Sequence, residues 1–153
     1  MSRKRLYEQE VGRIARLLAA WPPHEIDGLF EEMLALWGAS KYYHLFRWRW
    51  NARLRTTLGR AYFEDWMVEL NPLLLARHPE QMRGLLIHEL AHLVIVKRYG
   101  FREPAHGERW KALMRAAGES TRATHDLPVE DLRVTRRRRR RRRAAGFMIR
   151  RVR

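Results

Sequence analysis

Apolar residues recur along residues 3–20 at Leu6, Val11, Ile14, Leu17 and Leu18, a near-helical spacing that predicts an amphipathic first helix. The run "WPP" at 21–23 ends it, since proline cannot continue a helix from within. A second helix is expected from Pro23 to Trp37, with Ile26, Leu29, Phe30, Met33, Leu34 and Trp37 on one stripe and Gly38 as its stop. From 42 to 71 the period shortens. "HLFRWRWNARLRTT" alternates charged and aromatic residues, and "AYFEDWMVELNP" is rich in aromatic and β-branched ones. These predict a small antiparallel sheet with turns near Thr57–Gly59 and Glu64–Asp65, its last strand closed by "NP" at 71–72.

A long helix is expected over 79–99, beginning after Pro79 and stopping at Gly100. Beyond the loop "FREPAHG" a shorter helix runs from about 107 to 117, with Trp110, Leu113, Met114 and Ala117 on one face and Gly118 at its end. The fold class is therefore α+β, a small antiparallel sheet packed on helices. Stripes of this kind are core, and no function attaches to them.

The long helix breaks the pattern. Leu85, Leu86, Ile87, Leu90, Leu93, Val94, Ile95 and Val96 make it apolar almost all round, yet His88, Glu89 and His92 interrupt it. Burying such groups without partners costs several kcal/mol, roughly 2–7 for a neutral polar group. Residues four apart lie on one helical face, so His88 and His92 can aim two ring nitrogens at one point, suiting a zinc ion roughly 2.0–2.1 Å from each. Glu89 sits about 100° around the axis, too far to join that pair as a ligand but well placed to contact a water on the metal. This is the H-E-x-x-H pattern: two ligands and one general base.

A hydrolytic zinc site needs a third protein ligand and an open position. His106 is the candidate, at the entrance of the following helix, where Trp110 anchors that helix to the core. Glu103, Glu108, Glu119 and His125 are rivals, Glu108 the strongest of them because it lies near the same helix start.

Composition narrows the picture. The 153 residues are 46% hydrophobic and 10% aromatic, material for one globular domain. There is no cysteine, which excludes disulfides and thiolate metal sites. No signal-peptide pattern or membrane-length apolar run is visible, so a soluble, cytoplasmic protein is expected, with no membrane partner. The net charge of +15 is unevenly spread. Residues 133–153 hold 12 of the 32 Lys and Arg and no acid, leaving 20 basic against 17 acidic groups on residues 1–132. The expected organisation is a domain over 1–132 and a basic tail over 133–153.

The stretches "WNARLRTTLGRAYF", "VELNPLLLARHP", "LLIHELAHLVI" and "HGERWKALM", running from about Trp50 to Gly118, resemble the SprT-like zinc metallopeptidases of the SprT/Spartan type. The "HG" followed by an aromatic and then "K..M" is the most specific element beyond H-E-x-x-H. The resemblance implies a zincin-like (minigluzincin-like) fold around a central H-E-x-x-H helix, one Zn2+ held by His88, His92 and His106, and Glu89 as the catalytic carboxylate. It departs from the family in two respects: the cysteine zinc ribbon common in it is missing, with the arginine tail roughly in that place, and there is no room for Spartan's long regulatory extension.

Together these features predict a zinc-dependent metallopeptidase that hydrolyses peptide bonds with a metal-activated water and Glu89 as general base. By analogy with Spartan its targets would be DNA-associated proteins. Tyr62, Arg53 and His125 are candidates for a second electrophile, and an extended substrate could pair with a sheet edge near Ala61–Leu70. Arg136, Arg137, Arg138, Arg139, Arg140, Arg141, Arg142 and Arg143 cannot pack together; they are expected to be disordered and to bind DNA or RNA without sequence preference, giving a nucleoid association. Trp48 and Trp50 amid "RWRWNARLR" would either stack on nucleic acid beside those arginines or, as strand residues, belong to the core. The alternative function is a nucleic-acid-binding protein with a structural zinc, in which Glu89 has no use.

Overall fold

The computed structural model describes residues 1–123. Helix α1 (Arg3–Ala20) starts where the Ser2 hydroxyl accepts from the Arg5 amide at 3.3 Å. Helix α2 (Pro23–Leu36) follows, with proline at its first position and Ile26, Leu29, Phe30, Met33 and Leu34 buried, as its stripe predicts. Three short strands come next: β1 (Arg47–Trp50), β2 (Gly59–Tyr62) and β3 (Met67–Leu70). Helix α3 (Pro72–Arg77), the long α4 (Met82–Tyr99) and α5 (Glu108–Ala116) complete the chain to residue 123.

The sheet corrects the expectation of an antiparallel arrangement. Its order is β1-β3-β2, with β3 parallel to β1 and antiparallel to β2. The connection over 51–58 carries the chain from one edge to the other, and β3 then inserts between the two earlier strands. Asn71 secures this crossing. Fully buried, it accepts from the Leu73 and Leu74 amides (3.0 and 3.2 Å) as the cap of α3, and donates to the Leu54 and Thr57 carbonyls (3.0 and 3.1 Å). "NP" therefore closes a strand and opens a helix that the sequence reading did not foresee. Residues 79–81 form a 3-10 turn, so α4 begins three residues later than expected.

One face of the sheet, carrying Val68 and Leu70, belongs to the core with α4, whose Leu86, Ile87, Leu90, Ala91, Leu93, Val94 and Ile95 are buried. Trp48 and Trp50 share that face; they touch each other edge-on at 6.1 Å, and the Trp48 indole donates to Asp27 of α2 at 2.7 Å. They belong to the packing rather than to an exposed stacking patch. Helix α1 departs from its pattern too. It rests on short α3, with Arg77 held to Glu10 at 3.0 Å, and of its five apolar positions only Leu17 is buried. Leu6, Val11 and Leu18 remain 52%, 46% and 41% exposed, because a six-residue helix covers too little of an eighteen-residue one.

Candidate metal centre

The middle of α4 faces two elements, edge strand β2 and the turn leading into α5. Gly59 makes the first contact close: a Cβ there would lie 2.6 Å from the Glu69 carbonyl oxygen and 3.0 Å from Leu85 Cδ2. Any larger residue would collide with the backbone of β3 and crowd Leu85 of α4. With β2 so close, the Ala61 amide donates to Glu89 Oε2 at 2.9 Å.

The second contact is made by "HG". Gly107 fits where a Cβ would meet Pro104 Cβ and O at 3.2 Å, and this tight turn starts α5 immediately after His106. The His106 Nε2 thereby lies 3.1 Å from His92 Nε2 and 3.2 Å from His88 Nε2. Beneath them is Trp110, fully buried, its ring 4.7–5.5 Å from all three imidazoles and stacked on that of His92. Its indole makes a long hydrogen bond to the His88 carbonyl, 3.4 Å.

These separations suit a metal. Two nitrogens roughly 2.0–2.1 Å from a tetrahedral ion stand about 3.3 Å apart. Three imidazole nitrogens converging at that spacing can direct their lone pairs at one point, where a cation can be shared among them. The electrostatics agree: burial, with the neighbouring His88 and His106, pushes His92 down to about 3, and burial lowers His106. Neutral imidazole is the form that binds metal. Burial pushes Glu89 up to about 7, against the opposing pull of the Ala61 amide. Among the described residues these three histidines form the group of donors able to hold an ion.

The rival ligands are engaged elsewhere. Glu103 pairs with Arg109 (3.8 Å), Glu108 with Lys111 and Arg115 (3.8 and 3.3 Å), and Glu119 with Arg83 (3.8 Å). Of the candidate electrophiles, Tyr62 donates its hydroxyl to Glu64 at 2.7 Å and Arg53 is exposed. That hydrogen bond to Glu64 also raises the Tyr62 pKa. His125 and Arg136–Arg143 lie outside the described residues. The sequence reading missed the amide of Ala61 as the partner of Glu89; a backbone donor leaves no signature in residue type, and only Gly59, two positions earlier, hints at the close approach.

The SprT-like family model matches residues 30–146. Proteins named Protein SprT from Cronobacter sakazakii and Escherichia coli O1:K1 are each 36% identical to the chain over 80 residues, 51% of this chain and 48% of theirs. The chain thus matches about half the length of these curated relatives. No solved structure matches it.

Proposed function

The chain belongs to the SprT-like family, and from that premise we propose that it is a zinc-dependent metallopeptidase with a zincin-like arrangement of helix and edge strand. The observation that carries the reading is the pairing of three convergent imidazoles with a half-buried carboxylate one residue from the first of them. A structural site would need the imidazoles but not the acid.

His88, His92 and His106 would hold one zinc ion. Bound there, zinc acidifies water and polarises a carbonyl oxygen. The remaining work belongs to the protein. Glu89 takes the proton of the attacking water and returns it to the departing amine, a role favoured by a carboxyl whose proton affinity burial has raised. The Ala61 amide holds one carboxylate oxygen and leaves the other free for that transfer. Strand β2 is an edge beside the histidines, so an extended peptide could pair with its outward backbone groups other than the Ala61 amide, which Glu89 occupies. The arginines at 136–143 would add a sequence-independent grip on DNA or RNA, bringing nucleic-acid-associated proteins within reach in the cytoplasm.

Wild type and Glu89→Gln, both zinc-loaded, should be compared on casein. Equal zinc content with cleavage lowered about 100-fold or more in the variant is expected. If both hold zinc and neither cleaves casein or a DNA-binding protein, with or without single-stranded DNA, the zinc is structural and the chain is a binding protein.

A further inference from the structure

The metal centre lies between two walls that meet at one end. One wall is edge strand β2 with the turn after it, and it runs beside α4 in the same direction. Gly59 abuts Leu85, the Ala61 amide meets Glu89, and Lys97 Nζ stands 4.9 Å from the centre of the Trp66 ring. Phe63, between Ala61 and Trp66, therefore lies beyond Glu89 towards the C-terminal end of the helix, half-buried against the core. The other wall is the loop that leaves α4 at Gly100 and delivers His106. Its first residue, Phe101, sets its ring edge-on to that of Phe63, 5.3 Å between centres, and stays 74% exposed.

An exposed apolar ring means little by itself, since much of any protein surface is apolar. Position gives this one meaning: it joins the wall that holds Glu89 to the wall that carries the third imidazole. Its charged neighbours are engaged with one another. Glu64 accepts from Tyr62 at 2.7 Å, Glu103 pairs with Arg109 at 3.8 Å, and that guanidinium lies 3.8 Å over the Tyr99 ring. Asp65 and Arg102, the other charged residues of the two segments, are of opposite sign. Trp66 is already stacked on Phe46 at 5.9 Å and lies under Lys97. What the junction presents to a ligand is the ring of Phe101.

We infer that Phe101, backed by Phe63, is a subsite for a large apolar side chain of the substrate, about two residues from the bond that is cut. The inference rests on the peptidase reading and names a substrate class for it. An extended chain advances about 6.6 Å in two residues, which is the step from Ala61, at Glu89, to Phe63. A substrate side chain at that remove meets the aromatic pair, and covering Phe101 takes apolar surface of both partners out of water. An acidic or small residue there gains nothing from the rings. Large apolar side chains are mostly buried in folded proteins, so the substrates selected in this way are locally unfolded segments.

The test uses the zinc-loaded full-length chain and quenched fluorescent peptides of alanine and serine that carry one leucine, or serine, aspartate or lysine in its place. The leucine peptide should be cut at one bond about two residues from the leucine, located by mass spectrometry, with kcat/KM about tenfold above that of the serine peptide. Phe101→Ser should bring this ratio close to one, and Phe101→Leu should largely restore it. Because the ring is 74% exposed, neither change should alter melting temperature or zinc content. Equal rates on all the peptides, a preference for lysine as strong as that for leucine, or an undiminished ratio in Phe101→Ser would overturn the inference and leave the peptidase reading standing. If no peptide is cut, anisotropy of the labelled leucine and serine peptides on the zinc-loaded Glu89→Gln chain decides. Tighter binding of the leucine peptide, abolished by adding Phe101→Ser, would uphold the subsite, and equal binding would overturn it. Casein left intact by the wild type as well would count against the peptidase reading itself.

Discussion

Two polar clusters are built into this small fold, and they are finished to different degrees. On the outer sheet face, Arg49, Glu69 and Arg60 satisfy one another: a buried carboxylate accepts from guanidiniums on both neighbouring strands, and these outweigh the burial that would otherwise raise its pKa, so it stays below the usual carboxylate range. At the middle of α4 and the turn into α5, His88, His92 and His106 bring three ring nitrogens together over Trp110, a group able to hold an ion. The first cluster is complete as folded. The second has the spacing of a metal's ligand set, which is what distinguishes a site from a structural network.

That contrast can be broken most sharply at the histidines. His92→Ala should abolish stoichiometric zinc binding, measured by metal analysis after dialysis, while the sheet row keeps the apo fold cooperative in thermal melts. Glu69→Gln should do the reverse. It removes the carboxylate between two guanidiniums and should lower the melting temperature by about 5 °C, with zinc content unchanged. A smaller effect is expected from Trp110→Phe, which thins the floor under the imidazoles; zinc affinity in a competitive chelator titration should fall about tenfold.

Acid should separate the clusters by window. A depressed carboxylate stabilises the fold above its unfolded value and loses that contribution as pH falls through the folded one, so the contribution of Glu69 should be complete above about 4.5 and decline only below it. His92 is also depressed, from 6.5 to about 3, and the unfolded chain takes up its proton first; stability should therefore decline as pH drops below 6.5. Glu89, raised to about 7, works in the opposite sense between 4.5 and 7. The histidine limb should accordingly emerge in the metal-free Glu89→Gln chain, seen as a melting temperature that falls with pH below about 6.5, and should shrink in His92→Gln.

How much of this the chain announces depends on whether the information is local. The stripe of α2, the apolar girth of α4 and the face of α5 are local periodicities, and the helices follow them. His88 and His92 are legible for the same reason, their convergence being a property of one helix. His106 was legible only as a candidate among five, since what selects it is the tight turn at Gly107 against Pro104. Strand order was not legible: adjacent strands in sequence were expected to pair, but β3 displaces that pairing through contacts between residues some twenty positions apart. The cap at Asn71–Pro72 did carry a local helix signal, hidden by its equal suitability for ending a strand. Nothing in "VEL" marks Glu69 as buried, because its tolerance for burial comes from arginines on other strands.

The third imidazole has one more consequence. His92 sits within a rigid helix, whereas His106 stands at the end of a loop running from Gly100, so an ion shared by both closes a chemical ring through the backbone between them. Such a ring works as a removable crosslink: it narrows the freedom of the connecting segment in the way a disulfide would, in a chain that has no sulfur with which to make one. Occupancy of the centre and rigidity of its rim are thus one variable.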